Sequence, residues 1–562
     1  MRVHPGRAHG LVALLPFLGC TACEGEKTIL ATGGFAPDEA CPGGEGCADE
    51  GDDVLWAGAA MAEITDEIRE TLTVDVDADG EYDVGVDEFA DANGNGVMDG
   101  TWIAGFGNGR AATGVHDPQW VRAIVLRQNE TTIAIVAVDA IGYFRTEIDA
   151  IEEALPADLG VDWVSMAATH VHEARDTIGI WGIDETHTGS DPEFDAFVRD
   201  QAVAAISAAV DALEPATITY GQRPIDDPEG EANYVSDTRD PVVIDDRVTV
   251  LKFDGKDDGE TIATLVNFGA HPEYSGSRNT LLSSDFPYWV REGVESGVVG
   301  GDVDEAGVGG ICVFVNGAVG GQVGPGWAMP LDLDGNPHEE DSFEKAQATG
   351  DHVALTALRA IADGETEDTA DLAFTRKRFL VPIDNWAYQT MFLIAVIRRE
   401  IYEFDPALPL DPVTNLPKIE TEVGVVRIGR AAAIAMPGEV FPELMIGGYG
   451  GEAGDSSMQW DVIETMRDCD PVADEECVRP DLEIAPDPPY LLDRLGGDYP
   501  MTWGLSGDML GYFVPDYDYI LHPTQPYFEE YPGDHYEETN SVGPLTWGLI
   551  ETNLIGLLDW TR

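Results

Sequence analysis

Histidines at i and i+2 close an apolar run in the stretch AATHVHEARDTIGIW, residues 167–181, where Val161 to Ala168 lead into His170 and His172. On an extended strand alternate side chains project from one side, so both rings reach one site. Imidazole nitrogen is a common metal ligand and carries protons near neutral pH, which suits a hydrolytic metal centre. Two histidines bonded to loop carbonyls fit the same pattern, so the pair alone does not choose between them. Metal-competent residues recur where other apolar runs end: His271 after TIATLVNFGA, Glu439 after AAAIAMPG at the start of an expected helix, and Asn316 after ICVFV, opening a Gly-rich loop. If these runs are neighbouring strands of one sheet, their ends form a single rim, where α/β proteins place ligands. Taken singly, His271 also reads as a satisfied turn histidine and Glu439 as a carboxylate favoured by a helix dipole.

The elements that must carry these residues alternate in type. VRAIVLRQ and TTIAIVAVD form an expected hairpin around Asn129 and Glu130. Helices are expected at 146–155, 191–213, 285–296, 341–362 and 384–404, and strands at 161–170, 216–221, 247–253, 260–268, 311–315, 370–382 and 421–436. No repeat or Pro-rich linker divides residues 56–562, so the expected fold is α/β, a mixed sheet core with flanking helices in one large domain with inserted loops.

Two acidic loops precede the first long strands. DVDADGEYD places Asp75, Asp77, Asp79 and Asp83, and DANGNGVMD places Asp91, Asn93, Asn95 and Asp99, at positions 1, 3, 5 and 9 of a calcium loop, with Gly at position 6. The glutamate of position 12 is replaced by Val86 and Trp102, so these are shorter acidic loops for structural Ca2+, sharing ligands such as Asp87 or Glu88. A pair of Asx turns is the alternative.

Composition and charge narrow the class. With 44% hydrophobic residues, 12 Trp and 17 Tyr the chain is too apolar for disorder. Its 105 acidic against 31 basic residues, net −74, repel phosphate backbones, which excludes nucleic acid as a partner; nothing in the sequence points to a protein partner. Arg2 and Arg7 precede an apolar run, Leu11 to Gly19, too short to span a bilayer and suited to a signal peptide over 1–19. FLGC at its end places a small residue before Cys20, as at a bacterial lipoprotein cleavage site, with Cys23 as the second candidate for lipidation. The expectation is an exported lipoprotein, held on a membrane by its N-terminal lipid and facing the periplasm or the cell surface, with ordinary secretion as the alternative. Residues 20–54 read as a flexible acidic, Gly-rich tether, with folded sequence from about Trp56. In an oxidising compartment Cys41 with Cys47 and Cys469 with Cys477 can close two local disulfides, while Cys312 reads as a buried thiol.

Five ordered blocks, THVHEA, NFGAHPEYSG with SSDFPY, NGAVGGQVGP, MPGEVF, and GYFVPDYDY with HYEE, resemble the neutral (non-lysosomal) ceramidase family, particularly its bacterial lipoprotein-like members, over about residues 56–545. The resemblance implies one ceramidase-like catalytic domain over 55–562, and too few residues follow it for the family's C-terminal immunoglobulin-like domain. Carried over position by position, the zinc ligands are His170, His271, Glu439 and Tyr512. His172 becomes the oxyanion donor or proton carrier, Asn316 and Tyr536 further catalytic-site residues, and Asn233 the counterpart of the family's Asn-Arg-Ser segment. Where the family has G-D-V-S-P this chain has GQVGP, so Gly324 replaces the serine. That excludes covalent serine catalysis at this position and leaves metal-activated water.

The implied function is zinc-dependent hydrolysis of an amide or ester in a small-molecule or lipid N-acyl substrate. The alternative is a surface protein that keeps the fold and metal without catalysis.

Overall fold

In the computed structural model the described residues are 35–44, 47, 51–225, 234–323, 325–411, 414–448, 463–465, 477–533 and 535–560. The expected signal peptide, Cys20, Cys23, Asn233, Gly324 and Cys469 lie outside them.

Strands β1 (Glu39–Cys41), β2 (Leu55–Glu63), β3 (Trp120–Gln128), β4 (Thr131–Val138) and β5 (Trp163–Ala168) come first, with helix α1 (Arg145–Ala154) between β4 and β5. Helix α2 (Pro192–Asp211) leads to β6 (Glu214–Pro224), β7 (Arg247–Gly255) and β8 (Thr261–Phe268). Then follow α3 (Asp285–Ser296), β9 (Ile311–Asn316) and α4 (Phe343–Ala362). The later strands are β10 (Leu372–Pro382), β11 (Lys418–Ile428), β12 (Ala431–Ala435), β13 (Glu439–Val440), β14 (Tyr499–Trp503) and β15 (Tyr512–Phe513). Helices α5 (Trp386–Leu393), α6 (Pro442–Ile446) and α7 (Thr546–Asp559) lie among and after them.

Two sheets face one another. The nine-stranded sheet runs β9-β8-β7-β6-β2-β3-β4-β5, with the short strand Glu365–Glu367 added on β6; the five-stranded sheet runs β1-β10-β11-β12-β14. Alternation along β8 sends Leu265 inward, into a core shared with Phe374, Val426 and Trp503 of the second sheet, and Val266 and Phe268 outward onto α3 and α4. Helices α1 and α2 cover the outer face of β2 to β5, and α7 packs on β10 and β11, giving an αββα order of layers. Within that order, β4 is buried at every position, in keeping with its unbroken apolar run from Ile133 to Val138. Asn129, with φ of 56°, makes the β3–β4 turn that asparagine tolerates. Asp191 caps α2 by accepting the Glu193 amide, with Pro192 at the first helical position. Among the described residues no helix is long and apolar enough to cross a membrane.

Four expectations change. Within the expected tether, β1 pairs antiparallel with β10, and Cys41 is bonded to Cys47, so ordered backbone begins before Trp56. The strand expected over 421–436 is two, β11 and β12, paired antiparallel across a turn at Gly429 and Arg430. The helix expected over 384–404 stops at Leu393. Ala395 takes a φ of 60°, which turns Ile397 into a pocket wall and Arg399 onto buried Asp508; these tertiary contacts override the helical pattern of the remaining residues. Finally, β12 belongs to the second sheet, so the chain ends around His170, His271 and Glu439 are not the rim of a single sheet.

Candidate metal centre

His170 leaves the end of β5, where the amides of Thr169 and His170 bond to the carbonyls of Val138 and Ala140. These bonds hold His170 at a φ of 69°, a left-handed conformation rare for a side chain of this size. The His-x-His pair therefore sits on a strained turn, not on the strand. Its rings still converge, with centroids 5.1 Å apart and perpendicular. His170 Nδ1 lies 2.6 Å from the Ile141 carbonyl, which can only accept; the proton is thus on Nδ1 and the Nε2 lone pair faces the site.

His271 follows β8 and brings its Nε2 to 3.0 Å from His170 Nε2. Glu439 lies in β13, not at a helix start, and pairs in parallel with Tyr512 of β15. Gly438 permits this approach, since a Cβ there would lie 2.5 Å from the Gly511 carbonyl. Glu439 Oε2 is 3.3 Å from both Nε2 atoms, and the Tyr512 hydroxyl is 3.4 Å from His271 Nε2. All four side chains are buried. Burial pushes the Glu439 carboxyl up, but His170 and His271 outweigh it and hold the group below its ordinary value; burial likewise pushes His170 down, and Glu439 more than reverses this. Two imidazoles, a carboxylate and a phenol with converging lone pairs in a buried space fit a divalent cation better than they fit one another. His170, His172 and His271 also offer three ring nitrogens within 4.8 Å of one another.

Asn316 ends β9 but does not line the pocket. It is fully buried, its Nδ2 donates to the carbonyls of Thr169 and Ala270 at 3.2 and 2.9 Å, and its Oδ1 accepts the amides of Ala270 and Gly317. Both amide ends are used on backbone groups, those of Thr169 and Ala270 beside the histidines among them, so Asn316 holds these turns together from behind the pocket. Tyr536, 39% exposed, stands at the pocket wall with its ring 5.9 Å from that of Tyr512.

The sequence reading missed Glu273, two residues beyond His271. Its Oε2 is 3.1 Å from His172 Nδ1. Burial raises the Glu273 carboxyl, but His172 and the other two histidines outweigh it and hold it at about 2, whereas burial outweighs Glu273 at His172 and lowers that ring to about 4. A buried acid in HPE beside a metal-type histidine was the available signal.

These groups open on a pocket of about 650 Å³, walled by Ile141, Phe144, Ile178, Ile180, Trp181, Phe392, Ile397 and Met509. Arg399 on its wall is neutralised by two bonds to Asp508 and lies 4.7 Å over the Phe144 ring. An apolar pocket with a few polar groups at one side suits an acyl chain bearing one reactive polar bond.

Away from the pocket, Asp75, Asp77 and Asp79 bring one oxygen each to within 4.8 Å of the others. Asp83 donates its amide to the Asp87 carboxylate. Asp75 accepts the amides of Ala78 and Gly80, and Asp91 those of Gly94 and Gly96, so the two loops share one turn geometry. In the second loop Asn93 and Asn95 donate to Asp99, and buried Glu70, unforeseen in the sequence, closes the loop by accepting the amides of Ala92 and Asp99. Cys477 is disulfide-bonded, and Cys312 is a buried free thiol pushed up to about 12 by burial.

A family profile described as neutral/alkaline non-lysosomal ceramidase, N-terminal, matches residues 82–325. Among solved structures, a neutral ceramidase from Pseudomonas aeruginosa is similar at 14% identity and a TM-score of 0.55, covering 90% of this chain and 74% of that one. A ceramidase complexed with C2 is similar at 15% identity and a TM-score of 0.56, covering 90% and 75%. No curated protein matches the chain. Residues 82–325 thus resemble the neutral/alkaline non-lysosomal ceramidases, and the chain has the mixed α/β fold of the neutral ceramidases over 90% of its length.

Proposed function

We propose that this protein is an exported, zinc-dependent hydrolase of N-acyl amide bonds, with esters as the related class and a lipid as the natural substrate type. The observation that carries the reading is the convergence of His170, His271, Glu439 and Tyr512 beside an apolar pocket. These four residues would hold the ion, which supplies Lewis-acid polarisation of the scissile carbonyl and makes water nucleophilic near neutral pH. The apolar walls bind the acyl chain and exclude bulk water. His172, neutral at pH 7, is placed to take a proton from water and return it to the leaving amine. With glycine at 324 the chain offers no hydroxyl nucleophile there, which fits attack by water.

Metal analysis of the purified protein and of His271→Ala, with assays on fluorogenic N-acyl and O-acyl substrates, tests this. One zinc per chain, lost in the variant, with N-acyl turnover is expected. Stoichiometric zinc without turnover on any substrate would favour a second reading, a metal-binding surface protein, to which Gly324 lends weight.

We also assign a structural Ca2+ to the Asp75–Asp79 turn and a lipid anchor to Cys20. Millimolar calcium should raise the melting temperature of EDTA-treated protein, and Asp75→Asn with Asp77→Asn should abolish the rise. A palmitate analogue should label the wild type but not Cys20→Ala.

A further inference from the structure

His172 is held on every side but one. Its amide donates to the Pro272 carbonyl at 3.1 Å, and its carbonyl accepts from the Arg110 guanidinium. Phe106 meets the ring edge-on at 5.1 Å. Gly105 lies so close against it that a Cβ there would fall 2.4 Å from the His172 Cγ. At Nδ1 the nearest acid is Glu273, 4% exposed, with Oε2 at 3.1 Å. Neither ring nitrogen completes a well-aligned hydrogen bond in the interior, Nδ1 having only the ion-pair contact to Glu273 and Nε2 no partner, and His172 lines the pocket beside the rings of His170 and His271 at 5.1 and 5.6 Å.

A carboxylate can only accept, so a group at this place favours the tautomer with hydrogen on Nδ1. We propose that Glu273 is a positioning residue for His172, fixing its ring and holding its proton on Nδ1 so that the Nε2 lone pair faces the pocket. The other reading of a buried acid here is a metal ligand. Against it, the histidine nitrogens already meet Glu439, whose Oε2 lies 3.3 Å from two of them, while Glu273 faces the ring farthest from that pair.

The consequence for turnover rests on the hydrolase reading; the contact itself does not. As the bond from water oxygen to the acyl carbon forms, the water proton passes to His172 Nε2. As the C–N bond breaks, the same proton passes from Nε2 to the amine nitrogen. Acid and amine are the products, and Glu273 is unchanged. This is carboxylate-oriented imidazole chemistry, with water where a hydroxyl side chain would otherwise serve.

The test uses zinc-loaded full-length protein carrying Glu273→Gln, Glu273→Asp or Glu273→Ala. Chelator competition should show zinc affinity in Glu273→Gln within about threefold of wild type, where loss of a ligand's orienting partner would cost about 10- to 100-fold. On a soluble N-acyl substrate kcat should fall about 100-fold with KM little changed, and Glu273→Asp should recover part of the loss. In protein labelled with 15N-histidine, the His172 signals, assigned by their loss in His172→Gln, should report hydrogen on Nδ1 in wild type and on Nε2 in Glu273→Gln, whose amide can donate. An unchanged tautomer and kcat in Glu273→Gln would overturn the proposal, as would zinc affinity falling as far as in His271→Ala. A wild type without turnover would sink the hydrolase reading alone; the tautomer would then decide the role of Glu273 by itself.

Discussion

At the scale of single residues, the site depends on small volumes as much as on ligand chemistry. Gly105, at a φ of +102°, leaves room for the His172 ring and nothing more. Alanine there meets both a strained backbone and a steric clash, so Gly105→Ala should cost about 1–3 kcal/mol of stability. It should also lower kcat by displacing His172, while affinity for zinc, proposed above to rest on His170, His271, Glu439 and Tyr512, changes less. Denaturant unfolding and chelator competition on the same preparation would separate the two effects.

Elements bring the ligands together through polar clasps as well as through packing. The two edge strands of the nine-stranded sheet, β5 and β9, meet through Asn316, which ties the turn after β5 to the turn after β8. Asn267 works one layer deeper, with Nδ2 donating to Val315 in β9 and to Thr502 of the second sheet at 2.9 Å. Asn316→Ala would leave the carbonyls of Thr169 and Ala270 without donors in a dry interior. The expected loss is about 2–4 kcal/mol of stability, with about 10- to 100-fold weaker zinc binding. Asn316→Asp should behave similarly, because the lost function is donation. Undiminished zinc affinity in both would mean that the clasp does not set the spacing of the histidines.

Over the whole molecule the acidity has a thermodynamic consequence. Burial, with the nearby Asp518 carboxylate, pushes Glu443 up to about 8, though the Tyr517 hydroxyl opposes the shift; burial also pushes Glu537 to about 7, though Arg239 opposes it. Both carboxyls bind a proton more tightly folded than unfolded, where the ordinary value is 4.5. Their contribution to stability is therefore complete below about pH 4.5 and is lost as pH rises through 7 and 8, at up to about 1.4 kcal/mol per pH unit for each proton. Glu273 acts in the opposite sense: its folded value near 2 contributes above 4.5 and is lost only as pH falls through 2. The melting temperature should thus decline between about pH 5 and 8, and Glu443→Gln should flatten the decline. A Glu443→Gln profile parallel to wild type would remove Glu443 as its source.

Much of this was legible along the chain. The apolar runs of β4, β5, β8 and β9 and the turn at Asn129 follow from local periodicity and turn chemistry. The ordered blocks around His170, His271, Glu439 and Tyr512 named the residues that the fold brings within 3.5 Å of a neighbour in the site. What failed was whatever depends on contacts distant in sequence. The helix over 384–404 looked continuous because its residues favour helix, yet Arg399 leaves it for Asp508, 109 residues away. Nothing local shows that the Asn316 amide is spent on two backbones. Glu273 was passed over because a single acid after a His-Pro turn has no periodic signature; its meaning comes from His172, which only the meeting of the turns after β5 and β8 brings to it. Residue types and local spacing thus determined which chemistry the chain can hold, since side-chain donors and short-range conformation are properties of the sequence itself. Which donors meet, and which are consumed in holding others in place, was decided by the tertiary structure, because hydrogen bonding and burial are settled by neighbours far apart in the chain.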